Sequence, residues 1–178
     1  WSSSAASDVY KRQVSIIGGE KKILDSSIAT IRDRNATVAI AGIIGCDNSS
    51  VTSETKNFLV ESAAFLPNVI MNKARKLSLN TDASVRFERG VDSTMQANAL
   101  VRFLELLNAV TSVKFKNFYK FKSKNNPSSR KIKFNYEDLN AFAGKKIPPR
   151  FVDKLLKNLG FTLSKNKQGF YATVQSHR

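Results

Sequence analysis

Three side chains stand out because their chemistry differs from that of their surroundings: Cys46, His177 and Glu61. With one cysteine and one histidine, the chain has no internal disulfide, and we do not expect a zinc site built from its own side chains. Glu61 lies within the apolar run at residues 58–65. A carboxylate buried there costs free energy unless it has a partner, so the run predicts a partner for Glu61, and an arginine is one candidate.

The positive charge is concentrated in the second part of the chain. Residues 111–178 carry 16 Lys+Arg against 3 Asp+Glu, whereas residues 1–110 carry 13 against 11. A field of one sign attracts a polyanion, so contact with nucleic acid is one interpretation and a drift in surface composition is the other. No apolar run approaches the roughly 20 residues that span a bilayer. The single cysteine fits a reducing compartment, and we expect a cytoplasmic protein without membrane contact.

The first part of the chain mixes strand and helix patterns. Residues 1–13 (WSSSAASDVYKRQ) are serine-rich without periodicity, which favours a non-native leader over a flexible native terminus. Short strands are predicted at 14–17 and 22–24, and strands buried on both faces at 37–45 and 58–65. Helices are predicted from Pro67 and over 93–110, the second with Ser93 as its N-cap. Aromatics and lysines interleave at 113–121 and predict a strand, whose rings we expect to pack in a core rather than stack on bases.

The polar segment at 123–130 predicts a linker. The pattern after it predicts a small winged-helix-like βααββ module at 131–178, with helices stopped by Gly144 and Gly160. The fold class is therefore α+β or mixed α/β. A first domain at 14–122, with a mixed sheet and flanking helices, precedes the linker and the module.

Four segments resemble one known family. Residues 81–92 (TDASVRFERGVD) are similar to a signature of the bacterial phenylalanyl-tRNA synthetase β chain. Residues 41–51 (AGIIGCDNSSV), 54–65 (ETKNFLVESAAF) and 74–79 (ARKLSL) resemble the same family in order and spacing. The resemblance covers about residues 20–178. It implies a fragment: an editing domain (modules three and four, truncated at its start) at 14–122, and most of module five at 131–178.

The resemblance implies a part in phenylalanine–tRNA ligase. The implied partners are the α subunit, in an α2β2 tetramer, and tRNA(Phe). ATP and Mg²⁺ serve the whole enzyme, and no cofactor is expected on this part of the chain. The resemblance also implies hydrolytic editing of tyrosine attached by mistake to tRNA(Phe). Such editing is needed because a pocket built around an aromatic ring cannot strongly reject an isostere that only adds a hydroxyl.

The resemblance also assigns four site residues. Glu61 and Ala83 would bind the substrate: Glu61 accepts a hydrogen bond from the phenol, and Ala83 leaves room for the ring. Gly45 would let the substrate approach the backbone, and Thr81 would hold the ester or the attacking water, with no covalent intermediate and no metal. The structural alternatives are an arginine ion pair for Glu61, a simple turn for Gly45, and packing at a turn for Thr81 and Ala83.

The chain departs from the family in three places. Cys46 stands where the family has a second glycine, which puts the freedom of that backbone and the efficiency of editing in doubt. The family's histidine and asparagine lie upstream of this sequence. Residues 175–178 (QSHR) replace a Pro-Ser-Trp-Arg, and the acidic cluster used with magnesium lies downstream, so His177 is expected on a surface or interface.

We expect the isolated chain to be inactive. Charged residues of the signature, namely Arg86, Glu88 and Arg89, are expected to pair with nearby charges in a loop. Two other functions stay open: a free-standing editing domain that acts in trans, and a basic RNA-binding module without catalysis.

Overall fold

The computed structural model describes residues 2–4, 12–121, 130–166 and 169–176. The chain divides into two compact units, Trp1–Val113 and Lys114–Arg178, and each is considered by itself. The predicted linker lies outside the described residues apart from Arg130. The predicted domain boundaries at 14–122 and 131–178 stay a prediction.

Antiparallel strands form the first half of the first unit. The strands are β1 (Ser2–Ser4), β2 (Arg12–Ser15), β3 (Lys21–Leu24), β4 (Thr30–Arg32), β5 (Thr37–Ile40) and β6 (Ile44–Gly45). One sheet has the order β1-β4-β5-β6, and β2 pairs with β3. The segment predicted to be a leader therefore contains β1 and the first two residues of β2. Every pairing that the structure describes is antiparallel, so the parallel pairs of the predicted mixed sheet are not among them.

The apolar run at 37–45 is a hairpin, and the prediction of one continuous strand is wrong. β5 ends at Ile40, and the chain turns back into β6, where Ile44 pairs with Ile40. Gly42 makes the turn possible because its φ of 67° lies in the left-handed region. Periodicity could not reveal this turn, since the residues on both sides of it are apolar.

Four helices follow: α1 (Pro67–Ile70), α2 (Lys73–Lys76), α3 (Asp82–Arg89) and α4 (Gln96–Val110). The predicted helix start at Pro67 is confirmed. The helical spacing of apolar residues through Leu77 predicts one continuous helix, which is wrong, because Asn72 has a φ of 62° and separates α1 from α2. The predicted N-cap Ser93 is also wrong: α4 is preceded by Met95.

The hairpin and the short helices share one hydrophobic core. Its buried members come from β2, β3, β5, α1, α2 and the turns between them: Val14, Ile16, Leu24, Ile28, Ile40, Ile43, Cys46, Ile70, Ala74 and Leu77. Phe65 and Phe87 pack against this cluster. The core therefore fixes the hairpin relative to α1 and holds α3 through Phe87.

Two predicted strands are not strands. Residues 58–65 have no regular secondary structure. Residues 113–121 have none either, and their four aromatic side chains are 58 to 79% exposed, so the predicted core packing of these rings is wrong. No residue of α4 is buried either, although the helix is rich in apolar side chains.

The second unit confirms the predicted βααββ order. It contains β7 (Lys131–Phe134), α5 (Tyr136–Ala143), α6 (Pro149–Asn158), β8 (Thr162–Asn166) and β9 (Gly169–Thr173), with the sheet order β7-β9-β8. Asn135 caps α5 by accepting from the Asp138 amide at 2.6 Å, and Gly144 ends it with a φ of 67°. The Tyr136 hydroxyl donates to Asp153 at 2.6 Å and links α5 to α6. The combination of helices and antiparallel sheets in the two units confirms the α+β class.

Candidate functional site

Thr81 is the N-cap of α3 and half of a capping box. Its Oγ1 accepts from the Ser84 amide at 3.1 Å, and the Ser84 Oγ accepts from the Thr81 amide at 3.2 Å. The Thr81 hydroxyl also donates to the carbonyl of Ile43 at 2.8 Å, in the turn between β5 and β6. A hydroxyl has one hydrogen and two lone pairs, so Thr81 has one acceptor position left and no donor.

Gly45 lies in the hairpin that Thr81 holds. It pairs with Ala39, and its carbonyl accepts from the Ile17 amide at 3.0 Å. A Cβ at Gly45 would lie 3.0 Å from the Ile17 Cδ1, so the missing side chain leaves room for an exposed isoleucine in this structure. The structure thus brings Thr81 and the strand of Gly45 together through the carbonyl of Ile43.

Gly42 allows close packing at the turn of the hairpin, and the sequence interpretation missed it. A Cβ there would lie 3.0 Å from both Ile70 Cδ1 and Phe65 Cδ2. Phe65 in turn meets Phe87 of α3 edge to face, with ring centroids 5.0 Å apart. The segment that carries Glu61 is therefore held against the hairpin and α3 through Phe65. The only signal in the sequence was a glycine inside an apolar run, which also fits a strand.

Glu61 is an exposed residue without regular secondary structure. The prediction that it lies inside a buried strand is wrong. The protein around the carboxylate still excludes enough water to raise the pKa of Glu61 above its usual value. Within residues 12–121 and the other described ranges, Glu61 has no ion pair, so the predicted alternative of an arginine partner is not observed there.

The residues that follow Glu61 are tied to the start of α4. Ser62 Oγ donates to the Gln96 carbonyl at 3.0 Å. The Gln96 side-chain amide donates to the carbonyls of Ala63 at 3.5 Å and Asp92 at 3.0 Å. Sequence patterns gave no sign of the contacts to Ser62 and Ala63, because they join residues more than 30 positions apart.

Ala83 and the charged residues of the signature lie on α3. Ala83 is half-buried in the first turn of the helix, two positions after Thr81. The predicted loop for Arg86, Glu88 and Arg89 is wrong, since all three are helical. The described part of the chain shows no ion pair for them, and the two arginines lie in the last turn of α3, where cations are favoured by the helix dipole.

Cys46 belongs to the core. Its side chain is 2% exposed, and its amide donates to the Val38 carbonyl at 2.9 Å. Burial, with a smaller effect from Asp47, raises the pKa of the thiol. Its φ of −96° is extended backbone that any residue adopts, so a side chain at this position does not strain the chain.

The described residues contain no group of three or more His, Cys, Asp or Glu side chains that could hold a metal ion. His177 lies outside them. A search of the helices in the same ranges found none with the length and apolar content needed to cross a membrane.

Comparison with known proteins shows which family the chain belongs to. The sequence profile of the B3/4 domain family matches residues 6–112, beginning inside the segment predicted to be a leader. The phenylalanine–tRNA ligase β subunit of Aliivibrio fischeri is 36% identical over 162 residues, which are 90% of this chain and 20% of that protein. The β subunit of Legionella pneumophila is 33% identical over 168 residues, 93% of this chain and 21% of that protein.

A third relative, the phenylalanine–tRNA ligase β subunit of Idiomarina loihiensis, is 43% identical over 100 residues, 56% of this chain and 13% of that protein. The chain thus spans about a fifth of the length of the curated relatives that it matches over most of its own length. The resemblance drawn from the four signature segments is confirmed, and the chain belongs to the B3/4 domain family found in phenylalanine–tRNA ligase β subunits.

Proposed function

We propose that this chain is part of a phenylalanine–tRNA ligase β subunit and contributes to hydrolytic editing of Tyr-tRNA(Phe). The names of its relatives support the ligase role. The partners of the whole enzyme are then an α subunit, in an α2β2 tetramer, and tRNA(Phe), in the cytoplasm. ATP and Mg²⁺ serve aminoacylation and are bound by other parts of that enzyme.

The state of Glu61 carries the editing proposal. A carboxylate with a raised pKa and no ion pair in the described ranges is available to accept a hydrogen bond from a ligand. The phenol of tyrosine donates such a bond, and phenylalanine has nothing to donate. A site that hydrogen-bonds a substrate hydroxyl disfavours an analogue without it by a large factor. Glu61 therefore selects the misattached amino acid.

Thr81 then acts only as an acceptor. Its hydrogen is used by the Ile43 carbonyl and one lone pair by the Ser84 amide. It can orient a water or a ribose hydroxyl through its remaining lone pair, but it cannot donate to the ester carbonyl. Of the two roles that the resemblance allows for Thr81, holding the ester or holding the attacking water, the lack of a free donor favours the second.

The test follows loss of tyrosine from Tyr-tRNA(Phe) with the full-length β chain and its α subunit. Glu61→Gln and Ala83→Trp should each slow it, the first by replacing the charged acceptor for the phenol with a weaker, neutral amide oxygen and the second by filling the space for the ring. Glu54→Gln is a matched control, the same change on an exposed glutamate seven positions earlier. Unchanged hydrolysis in both site variants would remove Glu61 and Ala83 from the site.

The pH dependence gives a second readout. As the pH falls through the raised pKa of Glu61, the carboxyl gains a proton and no longer offers a charged acceptor. Hydrolysis should therefore decline on the acid side at a pH above the usual range of a glutamate, and Glu61→Gln should abolish that limb. An identical acid limb in both proteins would assign it to another group.

The charge of the second unit favours a second candidate, RNA binding without catalysis. Residues 114–178 hold all 16 Lys+Arg of the basic part and only 3 acidic residues. Arg150, Lys154 and Lys157 follow one face of α6 and are exposed. This candidate predicts that residues 123–178 bind RNA weakly, with an affinity that falls steeply with salt. A segment that binds no RNA at low salt would exclude it and leave the editing proposal unaffected.

A further inference from the structure

The backbone around Glu61 lacks the usual means of holding a side chain in place. Residues 51–66 form neither helix nor strand. A recognition carboxylate has to be held near its productive geometry, and a displacement of about 1 Å can cost roughly 100-fold in rate. Because no helix or sheet hydrogen bonds hold this segment, some other contact must fix it.

Gln96 makes that contact from the first residue of α4. Its carbonyl accepts from Ser62 Oγ at 3.0 Å. Its side-chain amide reaches the carbonyls of Ala63 and Asp92, at 3.5 and 3.0 Å. An amide nitrogen carries two hydrogens, so both donations can exist together. Gln96 thus joins three pieces: the two residues after Glu61, the loop before α4, and the helix itself.

We propose that Gln96 is a positioning residue for the Glu61 carboxylate. It touches neither substrate nor the reacting atoms, and acts by holding Ser62 through its main-chain carbonyl and Ala63 through its side-chain amide. The proposal rests on the proposed function, since it concerns the same recognition of the phenol. Phe65 lies four residues after Glu61 and packs on Phe87, so it holds the far end of the segment. Gln96 holds the end next to the carboxylate.

The experiment measures kcat and KM for hydrolysis of Tyr-tRNA(Phe) by the full-length β chain with its α subunit. Gln96→Ala should lower kcat/KM by about tenfold, the effect of a loosened rather than a removed carboxylate. Asn98→Ala is the control on the same helix: Asn98 is exposed, and within the described residues its side-chain amide makes one hydrogen bond, to Met95 Sδ at 3.8 Å. It should leave kcat/KM unchanged. Aminoacylation with phenylalanine should be equal in all three proteins, which shows that they fold.

Combining variants separates positioning from a general structural role. If Gln96 acts through Glu61, Gln96→Ala in the Glu61→Gln background should cause less than about a twofold further loss. Gln96→Ala keeps the main-chain carbonyl that accepts from Ser62 Oγ, so Ser62→Ala removes the other contact to this segment and should cause a loss of its own. Ser62→Thr, which keeps the hydroxyl, should retain hydrolysis. Additive losses, or no loss in Gln96→Ala while Glu61→Gln is slow, would overturn the proposal. No loss in Glu61→Gln itself would overturn the role of Glu61 and this inference with it.

Discussion

Thr81→Val tests whether one hydroxyl joins α3 to the β5–β6 hairpin. Valine keeps the shape of threonine, so the change leaves no cavity and removes only hydrogen bonds. It removes the N-cap bond to the Ser84 amide, worth about 1 kcal/mol. It also removes the donor to the carbonyl of the buried Ile43, worth about 1–2 kcal/mol. Together the free energy of unfolding should fall by about 2–3 kcal/mol.

Urea denaturation of the 178-residue chain, followed by far-ultraviolet circular dichroism, measures this difference. Thr81→Ser is the control, because it keeps the hydroxyl and should stay within about 0.5 kcal/mol of the parent. Ser84→Ala removes the other half of the capping box and should cost about 1 kcal/mol. If Thr81→Val and Thr81→Ser are equally stable, the hydroxyl does not join the helix to the hairpin, and the acceptor-only role of Thr81 loses its basis.

Three more changes have defined outcomes. Gly42→Ala should lower the unfolding free energy by about 1–2 kcal/mol from the left-handed φ alone, and by more because its Cβ would crowd Ile70; thermal unfolding measures this. Glu61→Gln should be as stable as the parent or slightly more stable at pH 7, and lose that advantage towards pH 4, in urea titrations at both values. The bond to Asp153 raises the pKa of Tyr136 to about 12, so Tyr136→Phe should remove a phenol that ionises near pH 12 in an absorbance titration.

Whether stability rises or falls with pH depends on the direction of each pKa shift. A raised pKa means that the stability tied to the protonated form is complete below the unfolded pKa and is lost as the pH rises through the folded one. For Glu61 this loss occurs above pH 4.5, and for Tyr136 between pH 10 and about 12. A Glu61→Gln protein that is less stable than the parent at pH 7, a Gly42→Ala protein of parental stability, or a tyrosine titration unchanged by Tyr136→Phe would contradict these accounts.

Helices and strands that end at a recognisable stop residue were predicted from the sequence, and those whose ends lack such a residue were missed. The βααββ order of the second unit was predicted with the help of stop residues, Gly144 and Gly160, which act within one turn. The hairpin at 37–45 was missed because Gly42 looks like a strand residue when its neighbours are apolar. The segment at 58–65 was predicted as a strand from its composition, but contacts made by Phe65 and Ser62 with distant helices decide its conformation.

The same distinction applies to the site. Signature residues such as Thr81 and Ala83 could be assigned from resemblance, because both lie in one short motif, at the N-cap and in the first turn of α3. The supporting residues could not be predicted this way. Gly42 acts through Phe65 and Ile70, and Gln96 acts on a segment more than 30 positions earlier. Long-range support depends on the fold rather than on local pattern, so only coordinates reveal it.

Substitutions of Glu61 and of Thr81 differ in whether they can separate a role in hydrolysis from a role in folding. The Thr81 hydroxyl serves two structural bonds, so replacing it with valine weakens folding and hydrolysis together and cannot by itself prove a catalytic role. In the described part of the chain Glu61 has no ion pair, and the surrounding protein, by excluding water from the carboxylate, raises its pKa and disfavours the charged form. Replacing it should cost function without costing stability, the pattern expected where a site keeps a group that the fold does not need. Loss of tyrosine clearance at undiminished stability in Glu61→Gln is therefore the observation that separates a recognition residue from a structural one.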